Sequence, residues 1–563
     1  MGLLQGIHVL LGIHGVARFL ELGEAQQLQH PGLAQLTALF EVARQVSGLG
    51  SAIAGGGHRA ARRRELGHPM DMVATGVSSD LRAARSRPPA WVRDAVVAQI
   101  FPDRFRRSGR VAAQRGLTLQ AWGAPPTATG FQGGDLYGVI EGLDHLQALG
   151  ITCLYLNPIF SSAANHRYHA YDYFQVDPLL GGDVAFEALV AELKRRGMRL
   201  ILDGVFNHCG RGFWAFHHLL ENGAASPYAD WFITEHWPLK PYPEPGEPCG
   251  YHSWWCDPAL PKFNHANPAV REHLLAVGRH WIERGIDGWR LDVPDEVEPS
   301  FWVEFRRQVR EANPEVWIVG EIWGDARAWL GGEHFDGVMN YRVAWSCLGW
   351  VANGRLEEGH AREAIPYGCI SGERWKEVML ETLSWYRPEV NQAQLNLLDS
   401  HDVPRALHML QGDVAALKLA LVLLFVLPGV PCVYYGTEIG LDGGAEPACR
   451  EAFPWAQDDQ WAHDLRAFIG SLSQLRQSSP ALTCVQIDIT LLQGAEGCQG
   501  LQIVRGNLED EQLIVMLNRS RTSSLTIHQN HGLRVVWPTT VADHHSLATE
   551  IPPQTAWILA KVT

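Results

Sequence analysis

The sequence has little that would carry it to a nucleic acid or into a membrane. Its one basic cluster is Arg59 to Arg64 (RAARRR), against a formal net charge of -14 over 563 residues. A nucleic-acid binder would show a basic face, whereas the acidic residues here are spread along the chain and serve solubility. No apolar run reaches the roughly 20 residues that a bilayer span takes. The start, MGLLQGIHVLLGIHGVARFL, lacks a basic first segment and is interrupted by His and Gly. It reads neither as a signal peptide nor as a span. The other apolar stretch, LALVLLFVLPGVPCVYYG, meets Pro428 early and fits a buried helix followed by a buried strand. The ten cysteines include no CxxC pair. Cys249 and Cys256 lie closest together, and nothing in the sequence supports a disulfide between them. Reduced thiols in a cytoplasmic protein are the expected state.

Apolar residues make up 46% of the chain and charged residues 19%, enough to bury large cores. The length suggests two to four domains. Tryptophan is plentiful, with 21 residues. Most Trp fills cores, but flat sugar faces also pack well on indole rings.

Residues 1–90 differ in texture from the rest. Val9 to Leu22 and Leu33 to Val46 could form helices, a Gly/Arg-rich stretch follows, and no alternating strand pattern appears. A weakly structured or helical N-terminal extension is expected there. From Trp91, short β-rich runs alternate with helical patterns: AVVAQI (95–100), ITCLYLN (151–157), MRLILDGV (198–205), IDGWRLDV (286–293), EVWIVGE (315–321), FDGVMN (335–340), LNLLDSH (395–401) and PCVYYG (431–436). Eight near-continuously apolar strands separated by helices predict an α/β fold, a (β/α)8 TIM barrel over 91–480. A doubly wound sheet would need a phosphate-type Gly loop after an early strand, and none is present. The connection after the third strand, 207–264, is long and rich in Trp, Pro, His and Tyr, and reads as a functional excursion or small subdomain. Over 481–563 the runs LQIVRG, QLIVMLNRS, LTIHQ, LRVVWP and TAWILAKV predict an all-β C-terminal sandwich.

Reacting groups of a barrel enzyme sit at the C-terminal ends of its strands. Strand three ends in Asp203 with Asn207 and His208 just after, strand four in Arg290-Leu291-Asp292, strand five in Gly320-Glu321, and strand seven in Asp399-Ser400-His401-Asp402. One acid at a strand end reads equally well as a helix cap. Three carboxylates with two histidines and an arginine at one barrel face do not. Glycoside cleavage needs two carboxyl groups flanking the bond, one at the anomeric carbon and one donating a proton to the leaving oxygen. Arg290 and Asp292 lie two apart on a strand and so point the same way, which lets the guanidinium hold the carboxylate ionised. Glu321 has apolar sequence neighbours (Ile318, Val319, Ile322, Trp323), which would raise its pKa for acid duty. Asp203 reads as supporting rather than reacting.

The segments DGVFNH, GWRLDVPDEV, GEIWGD and LLDSHD, in this order and at these strand ends, resemble the four signature segments of the α-amylase family, glycoside hydrolase family 13. The resemblance covers roughly 91–563. It implies that Asp292 is the nucleophile, Glu321 the acid/base, and Asp402 a third carboxylate that binds sugar hydroxyls. It implies that Arg290, His208 and His401 orient the nucleophile and bond the sugar, and that Tyr168 in NHRYHAYD stacks under that sugar, with His166 beside it. WVRDAVVAQIFPDRF, FQGGDLYGV and LPKFN are most similar to the cyclomaltodextrinase, neopullulanase and maltogenic amylase group, in which the positions of Glu296 and Trp323 face acceptor sugars. The implied activity is retaining hydrolysis of α-1,4 bonds in maltooligosaccharides, with cyclodextrins and pullulan as further substrates. An exo-acting maltodextrin α-glucosidase, or a transglycosylase of the same family, is the alternative.

Three features depart from the group. Residues 1–90 do not read as the usual N-terminal β-sandwich, which leaves monomer and homodimer both open. The Asn/Asp-rich calcium segment usual after FPDRF is replaced by RRSGR, which cannot supply hard oxygen ligands. No cofactor and no metal are expected there; calcium near Asn207 stays open without support from the sequence. The group's usual His after GEIW is Gly324, as in related maltodextrin glucosidases. The expected partner is an α-glucan oligosaccharide, with neither nucleic acid nor membrane.

Overall fold

The computed structural model describes residues 87–112, 116–494, 497–507, 511–526, 533–538 and 550–561. The expected N-terminal extension lies outside the described residues, apart from 87–90.

In chain order, β1 (Val97–Ile100) and β2 (Cys153–Leu156) are followed by a short antiparallel pair, β3 (Phe160–Ser162) and β4 (Ala170–Val176). Then come β5 (Arg199–Gly204), β6 (Gly288–Leu291), β7 (Trp317–Gly320), β8 (Gly337–Asn340), β9 (Leu395–Asn396) and β10 (Val430–Tyr434). Eight of these close a parallel barrel in the order β1-β10-β9-β8-β7-β6-β5-β2. Val97 lies opposite Cys432 on one side and Cys153 on the other, which shuts the ring. Every residue of β1, β2, β6, β7, β8 and β10 is buried. That explains their unbroken apolar character, since one side chain faces the barrel interior and the next faces the helices.

Each of the eight expected runs carries one barrel strand. The helices that cover the strands start on side-chain caps. Asp135 caps Leu136–Ala148, Asn267 caps Pro268–Glu283, Asn340 caps Tyr341–Val351, and Asp413 caps Val414–Val426. Gly197, at φ +70°, ends the helix Gly182–Arg196 in a left-handed turn that leads into β5. The helix Val414–Val426 is apolar on nearly all sides and buried, and Pro428 separates it from β10, the helix-then-strand arrangement expected of that stretch.

Three details differ from expectation. No helix forms between β7 and β8, where Gly324, Gly331 and Gly332 interrupt the chain. The ladder of strand seven covers only Leu395–Asn396, so residues 397–401 leave the sheet, still buried, and bend into the barrel mouth. The β3–β4 pair was not expected; its mixed polar pattern (AYDYFQV) hid it.

The excursion after β5 has a helix at Trp214–Asn222, three short 3-10 turns and four single bridges: His208 with Lys262, Phe232 with Phe263, Thr234 with Tyr251, and Ser253 with Pro261. These bridges lay it back across the barrel mouth. Nine of the cysteines, Cys249 and Cys256 among them, are free.

Beyond the barrel, β11 (Ile487–Gly494), β12 (Gly497–Gly506), β13 (Gln512–Asn518), β14 (Leu525–Thr526), β15 (Leu533–Trp537), β16 (Glu550–Ile551) and β17 (Thr555–Lys561) form an antiparallel region. Five make one sheet in the order β11-β12-β13-β17-β15, and β14 pairs with β16. Leu525 and Ile551 of that pair pack on Met516, Trp557 and Leu559 of the larger sheet. Arg519, just past β13, donates to the barrel carbonyls of Trp350 and Ile370, and buried guanidinium groups also hold the stretch that joins barrel and sheet. Arg476 donates to the carbonyls of Phe425, Leu482, Arg93 and Gly429. Arg505 of β12 donates to those of Gln486, Leu482 and Cys484. Burial pushes the two groups down to about 9 and about 10.

Candidate active site

A cleft of about 620 Å³ opens at the C-terminal ends of the barrel strands. Asp292, Glu321, Asp402, His208, Tyr168, His166, Trp323 and Glu296 line it. The other two residues singled out in the sequence, Arg290 and His401, lie fully buried beneath its floor. All ten therefore meet at one place, although they come from five separate stretches of chain.

Arg290 is the hub. Its Nη1 donates to Asp203 at 2.8 Å and to Asp292 at 3.0 Å. Its Nη2 lies 2.7 Å from Glu321 Oε1 and 3.9 Å from Asp402 Oδ2. The Glu321 approach is a close ion pair but not an aligned hydrogen bond, so Nη2 has no hydrogen-bond partner while touching two carboxylates. One guanidinium thus holds the two central carboxyl groups within its own span.

Glu321 does not sit among apolar groups, as its sequence neighbours implied. Its side chain turns into the barrel mouth, where Tyr341 donates to Oε1 at 3.3 Å and the Val293 amide approaches Oε2 at 3.4 Å. Burial, against the pull of Arg290 and with Asp402 and Asp203 adding to it, raises its carboxyl to about 7. The Asp292 carboxyl is also pushed well above its usual range, first by burial and then by Glu321, Asp203 and Asp402, with Arg290 opposing. The expectation that Arg290 alone keeps Asp292 ionised is therefore too simple. The carboxyl groups of residues 203, 292, 321 and 402 outnumber the guanidiniums that touch them, and such a set titrates jointly. The anion is better held on Asp292, which receives the aligned charge-assisted bond, than on Glu321, which does not.

Val293, just after Asp292, has φ +35° and ψ +53°. A β-branched residue in the left-handed region is strained. Here the bend aims the Val293 amide at Glu321 and leaves the Pro294 carbonyl to the indole of Trp302.

A second network orients the floor. Gln99 Nε2 donates to His401 Nδ1 at 2.9 Å, which assigns the His401 proton to Nε2. That nitrogen faces the Tyr168 hydroxyl at 2.6 Å and Asp402 Oδ2 at 3.1 Å. Tyr168 in turn donates to Asp203 at 2.7 Å, as does Tyr155. The Tyr168 and His401 rings are parallel to within 2° at 5.4 Å. Burial lowers the His401 pKa well below its usual value, so the ring is neutral. His208 is neutral too, pushed down to about 3 by burial. Asn207 approaches its Nδ1 at 3.2 Å, which leaves Nε2–H without a partner at the cleft. His166 is likewise lowered by burial and stacks beside Tyr168.

The outer wall holds Trp323, stacked on Tyr341 at 4.7 Å with Arg362 over it, and Glu296, paired with Lys262 at 2.7 Å. Sequence reasoning missed several contributors. Gln99, Tyr155 and Tyr341 carry no motif signal beyond lying at strand ends. Arg450, whose Nε donates to the His401 carbonyl at 2.9 Å and whose Nη2 lies 3.4 Å from Asp402, comes from the irregular segment after β10. Trp254 stacks on His208 at 5.2 Å and comes from the aromatic-rich excursion, the one signal that could have found it.

Among the described residues, no cluster of three or more His, Cys, Asp or Glu side chains is disposed to hold a metal ion. In the RRSGR segment, Arg106 lies over Trp455, and Arg110 lies over Tyr137 at 3.7 Å. Among the described residues, no helix is long and apolar enough to cross a membrane.

The family model for the α-amylase catalytic domain matches residues 99–463. A cyclomaltodextrinase from Geobacillus thermopakistaniensis is 39% identical over 438 residues, 77% of this chain and 70% of the relative. A crystal structure of a protein from Thermus thermophilus superposes with a TM-score of 0.76 at 42% identity, covering 84% of this chain and all of the other. The cyclic α-maltosyl-(1→6)-maltose hydrolase of Arthrobacter globiformis, in complex with that sugar, gives 0.74 at 36% identity, again covering 84% and 100%. With eight barrel strands, the carboxylate cleft at their C-terminal ends and these likenesses in agreement, the chain belongs to the α-amylase family of glycoside hydrolases.

Proposed function

We propose that this enzyme cleaves α-1,4-glucosidic bonds of maltooligosaccharides and cyclodextrins with retention of configuration. The observation that carries the reading is the single Arg290 guanidinium reaching both Asp292 and Glu321. Carboxyl groups held this close suit attack by one of them, since an inverting pair must leave room for a water.

In the first step the Asp292 carboxylate attacks the anomeric carbon while Glu321 gives its proton to the glycosidic oxygen. The C–O bond breaks, the leaving chain departs as an alcohol, and a glycosyl ester on Asp292 remains. In the second step the Glu321 carboxylate takes a proton from water. That water attacks the anomeric carbon and releases Asp292. Burial, which raises Glu321 to about 7, keeps it protonated for the first step near neutral pH. Asp402, exposed on 23% of its side chain, and the free Nε2–H of His208 hold hydroxyls of the sugar at the cleavage point. Tyr168 and His401 form the floor beneath it.

The substrate reading rests on the names of two similar enzymes, a cyclomaltodextrinase and a cyclic maltosyl-maltose hydrolase. It also rests on the open wall at Gly324, where an added Cβ would meet nothing within 4 Å. Such a wall suits a ring or a chain running past as well as a chain end. Incubation with maltotriose, cyclodextrin, pullulan and starch side by side tests it. Ring opening with early α-anomeric product is expected. Glucose alone from linear chains would favour the exo-acting glucosidase, and β-anomeric product would exclude the covalent mechanism.

A further inference from the structure

Trp255 stands at the rim of the cleft with 77% of its surface exposed. It is the outermost of three rings in one stack. His208 lies on Trp254 at 5.2 Å and 17°, and Trp254 lies on Trp255 at 4.9 Å and 16°. The stack therefore begins beside the reacting carboxylates and ends in solvent. Among the described residues, no further ring or cation covers the outward face of Trp255.

The turn that holds this indole outward is disfavoured. Trp255 has φ +51° and Cys256 φ +57°, two successive left-handed residues that are not glycine. The surrounding chain pins the turn at its base. Trp254 donates its amide to Leu260 O at 3.0 Å, Asp257 its amide to Trp254 O at 2.9 Å, and the Tyr251 hydroxyl donates to Pro258 O at 2.6 Å. A strained, pinned turn that keeps a large apolar ring in water at the edge of a binding cleft is organised to receive something.

We infer that the outward face of Trp255 is a stacking platform for a glucose unit of the bound α-glucan beyond those held at the cleavage point. The ligand class follows from shape and continuity. A flat, uncharged ring surface continuous with the cleft suits the apolar face of a pyranose in a chain already anchored inside. The inference rests on the glycosidase reading above. Its consequence is a preference for longer chains, set by a residue far from the reacting bond.

The test compares kcat/KM on maltohexaose with kcat/KM on maltotriose. In Trp255→Ala the ratio of the two should fall about two- to tenfold, the usual strength of a ring-stacking contact. Trp255→Phe, which keeps a ring, should recover at least half of the loss. A ratio in Trp255→Ala equal to that of the parent overturns the platform, whatever happens to the absolute rates. A loss that Trp255→Phe leaves uncorrected overturns it as well, since the ring face would then not be the cause. If the parent enzyme consumes neither sugar, the glycosidase reading itself fails and takes the platform with it.

Discussion

Arg290 donates to Asp292 across 3.0 Å, and among the described residues no other side chain gives Asp292 a hydrogen bond. Asp292, the proposed nucleophile, thus takes its only aligned side-chain hydrogen bond from Arg290. Asp292→Asn should lower kcat by at least about a thousandfold. The fold should be unaffected, because the amide keeps the shape of the carboxyl. Residual kcat above a tenth of the parent's, in a variant with an unchanged circular-dichroism spectrum, would contradict the mechanism.

Removing the hub should cost stability as well as activity. Arg290→Met leaves Asp203 and Asp292 buried without their shared cation, and breaking a buried ion pair from one side typically costs about 3–5 kcal/mol. Urea unfolding at pH 7 should show a loss of that order. A loss below about 1 kcal/mol would mean that the carboxyl groups find other partners.

The pH behaviour follows from Glu321, raised to about 7 chiefly by burial. As the proposed acid, Glu321 works protonated, so kcat/KM should fall on the alkaline side with a midpoint near 7. Stability has the same sign. A carboxyl that holds its proton more tightly folded than unfolded contributes stability that is whole below the ordinary carboxylate range and is lost as the pH rises through about 7. Glu321→Gln does not titrate. It should match the parent in urea midpoint near pH 4 and exceed it above pH 7 by on the order of 3 kcal/mol. Equal pH dependence in parent and variant would refute the assignment.

The barrel was legible because each of its strands is a short apolar run, and a strand buried on both faces leaves that mark whatever its partners. Where the chain leaves the ladder, the mark misleads: LNLLDSH looks like seven residues of strand, but only Leu395–Asn396 pair. The site was legible as a set of strand-end residues. Its wiring was not. Glu321 meets Arg290 and Tyr341, partners 31 and 20 positions away, rather than the apolar residues beside it in sequence. Gln99 and His401 are 302 positions apart. Contacts of this kind come from barrel closure, and no local pattern encodes them.

The Gln99 contact can be checked directly. It fixes the His401 proton on Nε2, facing Tyr168 and Asp402. Gln99→Leu removes that donor and lets the ring adopt the other tautomer. About a tenfold or greater loss in kcat/KM is expected, together with 15N shifts that show His401 as a tautomer mixture. An unchanged tautomer with unchanged kinetics would reduce Gln99 to packing.

The closure of the ring by β1 against β10 also bears on how the chain is made. Val97 finds Cys432 335 positions later, so at about 5–20 residues per second the ribosome delivers the last strand roughly 20–70 s after the first. Until then β1 has an unpaired edge, and the carbonyl of Arg93 waits for Arg476, 383 positions on. Half-synthesised chains are therefore open sheets, exposed to pairing with one another. The ring is locked late, when the helix His463–Ser478 brings the Arg476 guanidinium to the carbonyls of Arg93 and Gly429 at its bottom, the end opposite the carboxylate cleft.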